Sequence, residues 1–130
     1  MNNDKSKKNI FMVDDDEIHL LTAELCLKDG YNIFKASSGE EALRFLNKKE
    51  AIPDLIMLDI IMPNMDGWEL FEKIKGVSFL KDIPILFLTA MNDAKEKEKA
   101  LELGAAGYIT KPLEITLLKN TIKEILEKSA

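Results

Sequence analysis

Reactive or charged side chains follow four separate apolar runs of the chain. They are Asp14, Asp15, Asp59, Thr89 and Lys111. A short apolar run without a polar break is typical of a strand that is buried on both faces, as in a parallel sheet. Because parallel strands end at the same edge, where open α/β sheets bind their ligands, we expect these five side chains to lie close together.

Three carboxylates at one edge of a sheet require a cation. Two like charges repel by about 1 kcal/mol at about 4 Å in water, and by about 4 kcal/mol at an effective dielectric constant of about 20. An all-oxygen ligand set favours Mg²⁺, which keeps several waters and commonly bridges to phosphate. Thr89 and Lys111 add a hydroxyl and a positive charge for phosphate oxygens. The pattern predicts a phosphoryl site with a metal ion, a carboxylate nucleophile and a cationic contact.

Asp59 lies in the stretch around which we expect the domain to be built. Residues 55–58, directly before it, are all apolar and predict a buried central strand. The loop after Asp59 leads to Asp66, and Glu69 follows Asp66 by three residues. This spacing predicts a helix with Asp66 as its N-cap, so Asp59 would be held on a short connection between a strand and a helix.

The apolar runs alternate with helical patterns along the chain, and the loops between them are short. Five strands and five helices in alternation predict one doubly wound parallel sheet with helices on both faces. Ile18, Leu21 and Leu25 recur at helical spacing and predict the first helix. We expect residues 1–8 to form a flexible tail and residues 9–128 to form a single folded domain.

Composition and charge exclude several classes of protein. The chain has 46% hydrophobic and 32% charged residues, which is typical of a globular protein. Its net charge is −5 with both signs interspersed, so we expect no nucleic-acid-binding surface. No run approaches the ~18 apolar residues of a membrane span, and the single cysteine, Cys26, excludes an internal disulfide. We therefore expect a cytoplasmic protein. The only histidine, His19, is expected at the surface of the first helix.

Four short motifs occur at the strand ends in a fixed order. They are Val13-Asp14-Asp15, then Leu58-Asp59 with Met62-Pro63 and Met65-Asp66-Gly67, then Leu88-Thr89-Ala90, and finally Lys111-Pro112. Each motif is weak alone, but together the chain from Ile10 to Leu126 resembles the receiver domain of response regulators in two-component signal transduction. The resemblance implies a flavodoxin-like sheet with strand order 2-1-3-4-5 and a cis peptide bond before Pro112.

The resemblance also implies a metal-dependent phosphoryl transfer. Asp59 would accept the phosphoryl group, and Mg²⁺ would be held by Asp14, Asp15, Asp59 and the backbone carbonyl of Ile61. The donor would be a sensor histidine kinase or a histidine phosphotransfer protein. The domain would catalyse only its own phosphorylation and dephosphorylation. It would control a downstream protein target or an output domain, or form a phosphorylation-dependent dimer.

Further roles follow from the same resemblance. Thr89 and Lys111 would contact the phosphoryl group, and Tyr108 would be the switch residue that changes position with Thr89. Ile61 and Met91 would flank the path of the water that hydrolyses the phosphoaspartate. Both of these side chains are apolar, so we expect slow self-dephosphorylation.

Two other functions share parts of this pattern. A metal-dependent phosphohydrolase with an aspartyl nucleophile usually carries a second acid two residues after the nucleophile, and here that position is Ile61. A flavin-binding carrier would need a hydroxyl- and glycine-rich phosphate loop after the first strand, where residues 14–16 are three aspartates. The receiver domain is the favoured interpretation and the phosphohydrolase is the alternative. Whether the chain acts alone or within a longer regulator stays open.

Overall fold

The computed structural model describes residues 4–129, and within that range five strands alternate with five helices. The elements are β1 (Lys8–Val13), α1 (Glu17–Leu27), β2 (Tyr31–Ala36), α2 (Gly39–Asn47), β3 (Leu55–Leu58), α3 (Gly67–Lys75), β4 (Ile85–Thr89), α4 (Ala94–Glu102), β5 (Gly107–Thr110) and α5 (Ile115–Lys128). Neighbouring strands are parallel, and their order in the sheet is β2-β1-β3-β4-β5. This confirms the predicted doubly wound, flavodoxin-like sheet and the strand order that the resemblance implied.

The two faces of the sheet carry separate hydrophobic clusters, because successive side chains of a strand point to opposite sides. On β3, Ile56 and Leu58 belong to the cluster that contains α2, α3 and α4, whereas Leu55 and Met57 belong to the cluster that contains α1 and α5. Both β3 and β4 are buried along their whole length. Fully burying such a side chain contributes about 1.5–3 kcal/mol, so the central strands are a rigid base for the residues that follow them.

The buried face of α1 is not formed by the residues whose spacing predicted the helix. The helix is present as predicted, but Ile18, Leu21 and Leu25, whose spacing indicated it, are 73%, 50% and 55% exposed. The buried residues of the helix are Leu20, Ala23 and Leu27. Both triplets have the same i, i+3, i+7 spacing, so periodicity alone does not distinguish them. The short connection from β1 to Asp16, whose side chain caps the helix, sets the start of the helix and hence its rotation over the sheet.

Polar side chains cap the helices at the edge of the sheet where the strands end. The caps of α1 to α4 are Asp16, Ser38, Asp66 and Asp93, which confirms the predicted cap Asp66. Each accepts a hydrogen bond from a backbone N–H of the first turn, and such a cap contributes about 1 kcal/mol. The caps therefore fix the residue at which each of these four helices begins.

The segment before β1 contacts β2. The side-chain amide of Asn32 donates to the carbonyl of Asp4 at 2.8 Å, and the N–H of Asp4 donates to Asn32 Oδ1 at 3.0 Å. β1 begins at Lys8, the last residue of the predicted tail. Residues 1–3 lie outside the described residues, so the flexible tail and the domain limits given above stay predictions.

Candidate functional site

The edge of the sheet at which the strands end brings the three predicted aspartates together. Asp14 follows β1 and Asp59 follows the adjacent β3, and the N–H of Asp59 donates to the carbonyl of Val13 at 3.0 Å. Carboxylate oxygens of Asp14, Asp15 and Asp59 lie within 4.8 Å of one another. Asp14 and Asp59 are each only 7% exposed, whereas Asp15 is exposed. The acidic cluster is therefore mostly buried and reaches solvent at Asp15.

This acidic cluster fits a magnesium ion. Mg²⁺ takes six oxygen ligands at about 2.0–2.1 Å, which separates neighbouring oxygens by about 3 Å and opposite ones by about 4 Å. Oxygens that already lie within 4.8 Å of one another need only small side-chain movements to reach that arrangement. The backbone of Ile61 is adjacent, since its N–H donates to Asp59 Oδ1 at 3.2 Å. That the carbonyl of Ile61 is a ligand stays a prediction.

Lys111 offsets part of the negative charge of the cluster. Its Nζ lies 2.6 Å from Asp14 Oδ2 and 3.3 Å from Asp59 Oδ2, and its side chain is 11% exposed. The N–H of Lys111 donates to the carbonyl of Thr89 at 2.7 Å, which anchors its backbone at the end of β4. The peptide bond to Pro112 is cis, as the resemblance implied. Lys111 thus contacts two of the three aspartates directly.

Asp59 has an unusual environment for a carboxylate. Burial is the largest influence and raises the pKa of its carboxyl above the ordinary value. The positive charge of Lys111 and the N–H of Ile61 lower this pKa, and the negative charge of Asp14 raises it further, so the balance remains upward. A carboxylate whose charge is incompletely neutralised gains from a further cation beside it.

Thr89 and Tyr108, the predicted switch residues, are joined through Met91 in the loop between β4 and α4. Thr89 is fully buried, and its hydroxyl oxygen accepts a hydrogen bond from the N–H of Met91 at 3.2 Å. The hydroxyl of Tyr108 donates to the carbonyl of Met91 at 2.8 Å. Burial, and then the charges of Glu96 and Asp93, raise the pKa of the Tyr108 hydroxyl. Both predicted switch residues therefore hold the same loop residue.

His19 is a residue of the site that the sequence analysis missed. Its Nδ1 lies 2.9 Å from Lys111 Nζ, and its Nε2 lies 3.4 Å from Asp16 Oδ2. The side chain is 47% exposed, so the expected surface position is confirmed, but the ring also contacts the acidic cluster. The sequence feature that could have placed His19 near the site is its spacing. It follows the cap Asp16 by three residues and so lies on the first turn of α1.

Gly67 supports the site in a way that its place in a turn motif did not reveal. A Cβ at this position would overlap the carbonyl oxygen of Asp59 and would lie 2.6 Å from Ile60 Cα. The N–H of Gly67 donates to the carbonyl of Ile60 at 2.8 Å. Only a residue without a side chain allows α3 to begin this close to the backbone that carries Asp59.

Comparisons with known proteins agree with this geometry. Residues 10–123 match the model of the response regulator receiver domain family. The chain is 37% identical over 123 residues to the alkaline phosphatase synthesis transcriptional regulatory protein PhoP of Bacillus subtilis, covering 94% of this chain and 50% of that protein. It is 34% identical over 121 residues to the transcriptional regulatory protein AfsQ1 of Streptomyces coelicolor, covering 92% of this chain and 52% of that protein. The chain spans about half the length of the curated relatives it matches.

Solved structures show the same fold. The chemotaxis protein CheY4 of Vibrio cholerae superposes with a TM-score of 0.83 at 30% identity, covering 92% of this chain and 98% of that one. A two-component response regulator from Clostridium difficile superposes with a TM-score of 0.84 at 30% identity, covering 94% and 98%. Within residues 4–129, no helix has the length and apolar character needed to cross a membrane. Sequence, fold and strand-end residues agree, and the chain belongs to the response regulator receiver domain family.

Proposed function

We propose that this receiver domain is a phosphorylation-controlled switch of two-component signal transduction in which Asp59 is the phosphoryl acceptor. The observation that carries the proposal is the setting of Asp59, a nearly buried carboxylate at the end of a central strand. Oxygens of Asp14 and Asp15 lie within 4.8 Å of it, and Lys111 Nζ lies 3.3 Å away. The donor is a phosphohistidine on a sensor histidine kinase or a histidine phosphotransfer protein, and the reaction takes place in the cytoplasm.

The transfer breaks the bond between phosphorus and the donor's imidazole nitrogen and forms a bond to a carboxylate oxygen of Asp59. Asp14, Asp15, Asp59 and the carbonyl of Ile61 would hold Mg²⁺, which would supply positive charge for the transfer. Lys111 adds a second positive charge, because its Nζ can donate to a phosphoryl oxygen in place of Asp59 Oδ2. Positioning and charge neutralisation are the main contributions of a protein to phosphoryl transfer. The catalysis of this domain is limited to its own phosphorylation and dephosphorylation.

Thr89 and Tyr108 convert the new phosphoryl group into a change of surface. A hydroxyl can accept one hydrogen bond and donate another, so Thr89 can donate to a phosphoryl oxygen while it accepts from Met91. Movement of Thr89 toward Asp59 displaces Met91, and Tyr108 is attached to the carbonyl of Met91. We expect phosphorylation to shift the population of a two-state surface in residues 90–112.

Two exposed apolar surfaces support separate partners for input and output. The exposed apolar residues of α1 are Ile18, Leu21 and Leu25, and they form the proposed kinase-docking surface next to His19. The proposed output surface consists of α4, Tyr108 and the outer side of α5. Leu101 of α4 and Leu103, directly after this helix, are 48% and 50% exposed. Its partner is a downstream protein, an output domain or a second copy of the chain in a phosphorylation-dependent dimer. We expect this chain itself to bind neither nucleic acid nor membrane.

The alternative function, a metal-dependent phosphohydrolase with an aspartyl nucleophile, has no support. The general acid of that class lies two residues after the nucleophile, where this chain has the aliphatic side chain of Ile61, 55% exposed. The family match assigns residues 10–123 to a receiver domain. The receiver function therefore accounts for the site better.

The proposal is tested with acetyl phosphate as a small phosphodonor and intact mass spectrometry as the readout. Wild type should gain one phosphoryl group with Mg²⁺ present and none without it. Asp59→Asn should remove the product, whereas Asp29→Asn, a change to an exposed carboxylate just after α1, should leave it unchanged. Labelling of Asp59→Asn to the wild-type level would show that another residue is the acceptor.

A further inference from the structure

We infer that His19 is a positioning residue for phosphoryl transfer, which acts by holding the ammonium group of Lys111. The inference rests on the proposed role of Asp59 as phosphoryl acceptor. It starts from the 2.9 Å separation between His19 Nδ1 and Lys111 Nζ, a contact between the first turn of α1 and the end of β5. These two elements are far apart in sequence, so the contact depends on the complete fold.

The hydrogen-bond chemistry of this contact has one consistent assignment. A lysine ammonium group has three donors and no acceptor, so His19 Nδ1 must accept. The imidazole is then neutral and carries its hydrogen on Nε2, which lies 3.4 Å from Asp16 Oδ2. Asp16 is itself fixed, because its Oδ1 caps α1 through the N–H of Ile18 at 2.9 Å. The ring therefore has a polar neighbour on both sides, Lys111 Nζ at Nδ1 and the capping carboxylate of Asp16 near Nε2.

Lys111 uses all three of its donors in this arrangement. The acceptors are Asp14 Oδ2 at 2.6 Å, His19 Nδ1 at 2.9 Å and Asp59 Oδ2 at 3.3 Å. Two of these acceptors have other roles during the reaction, since Asp14 is a proposed metal ligand and Asp59 is the proposed nucleophile. His19 is the acceptor that neither role occupies. It can keep Nζ beside Asp59 while the other two N–H groups turn to phosphoryl oxygens.

A purely structural role does not account for His19. The side chain is 47% exposed, and the residues that α1 buries are Leu20, Ala23 and Leu27, so the ring contributes little to the core. Lysine has a flexible stem, and a side chain that is already held in place loses less conformational freedom when it contacts the phosphoryl group. The expected effect of His19 is therefore on the rate of phosphorylation.

The test compares three single variants for phosphorylation by acetyl phosphate with Mg²⁺. His19→Leu removes the acceptor and should lower the rate about fivefold to tenfold, the equivalent of one ordinary hydrogen bond. His19→Asn places an amide oxygen near the position of Nδ1 and should restore the rate to within about twofold of wild type. Thr22→Ala, an exposed change on the same helix, should leave the rate unchanged. Circular dichroism checks that each variant is folded.

A double-mutant cycle separates action through Lys111 from any other effect of the substitution. In a Lys111→Met background, His19→Leu should cause no further loss. An unchanged rate in His19→Leu, or an equal loss in both backgrounds, would overturn the inference while leaving Asp59 as the acceptor. Absence of phosphorylation in wild type would instead overturn the proposed function, and the inference with it.

Discussion

The helices α3 and α4 are alike in sequence design but differ in how firmly they are held. Each has nine residues and begins at an aspartate cap, and both contribute to the same hydrophobic cluster. The buried residues of α3 are Gly67, Leu70, Phe71 and Ile74, whereas the single buried residue of α4 is Ala100. α3 begins against the backbone of Asp59, and α4 follows the loop that contains Met91. The comparison teaches that the acceptor side of the site, Asp59 with α3, is rigid. The response side, the loop containing Met91 with α4, is loosely attached.

The largest expected effect is on stability. Leu70→Ala in α3 removes a fully buried side chain and should lower the free energy of unfolding by about 2–5 kcal/mol. Leu101→Ala in α4 removes a side chain that is 48% exposed and should change it by no more than about 0.5 kcal/mol. Urea denaturation measures both values. Equal losses would contradict the difference between the two helices.

A smaller effect is expected where α3 meets the acceptor. Gly67→Ala forces a methyl group against the backbone of Asp59 and Ile60, which should cost about 1–3 kcal/mol of folding free energy and slow phosphorylation by acetyl phosphate. Gly76→Ala is the matched control, since its Cβ would lie 3.5 Å from the carbonyl of Glu72, an ordinary contact. Both quantities should remain near wild type in the control. If the two variants behave alike, the close approach of α3 has no role in holding Asp59.

The lifetime of the phosphoryl group on Asp59 should depend on Ile61, which is on the acceptor side of the site, and on Met91, which is on the response side. Ile61 and Met91 cannot orient a water for hydrolysis, so the double variant Ile61→Asn, Met91→Glu should dephosphorylate about tenfold faster than wild type. Ile61→Leu with Met91→Leu keeps both positions apolar and is the control. Decay is followed by intact mass after removal of the donor. A wild type that decays as fast as the polar variant would rule out this explanation.

The smallest effects are expected from charge reversal on α4. Lys97→Glu and Lys99→Glu should weaken binding of the output partner or dimer and leave the rate of phosphotransfer from the kinase unchanged. Lys99 also lies 4.4 Å from the ring centroid of Trp68, so its replacement should cost a further ~0.5–1 kcal/mol of stability. Lys48→Glu, an exposed change after α2, is the control. Equal losses of target binding and phosphotransfer would show that the kinase and the output partner use the same surface.

The sequence alone predicted the parts of the fold that depend on local pattern. The buried strands are continuous apolar runs, and the residue after each run is the one that reaches the site. The sequence was therefore sufficient to predict that Asp14, Asp59 and Lys111 lie close together. The helix cap Asp66 was equally clear, because a capping side chain acts on its own first turn.

The features that the sequence did not predict depend on how helices and strands are oriented relative to one another. α1 has apolar residues on two sides. Which of Leu20 and Leu21 is buried therefore depends on the rotation of the helix over the sheet, which the sequence does not give. His19 reaches Lys111 only because of that rotation. The close approach of Gly67 to Asp59 and the hydrogen bond from Tyr108 to Met91 are likewise contacts between separate segments, which periodicity does not encode.

The central claim, a rigid acceptor coupled to a movable response region, is tested most directly by amide chemical shifts with and without phosphorylation. Acetyl phosphate and Mg²⁺ should change the shifts of residues 59–61 and of residues 90–112, while the buried half of α3 stays nearly constant. Thr89→Ala should still be phosphorylated but should lose most of the change in residues 90–112. Shifts confined to the loop after Asp59, with residues 90–112 unmoved, would contradict the account.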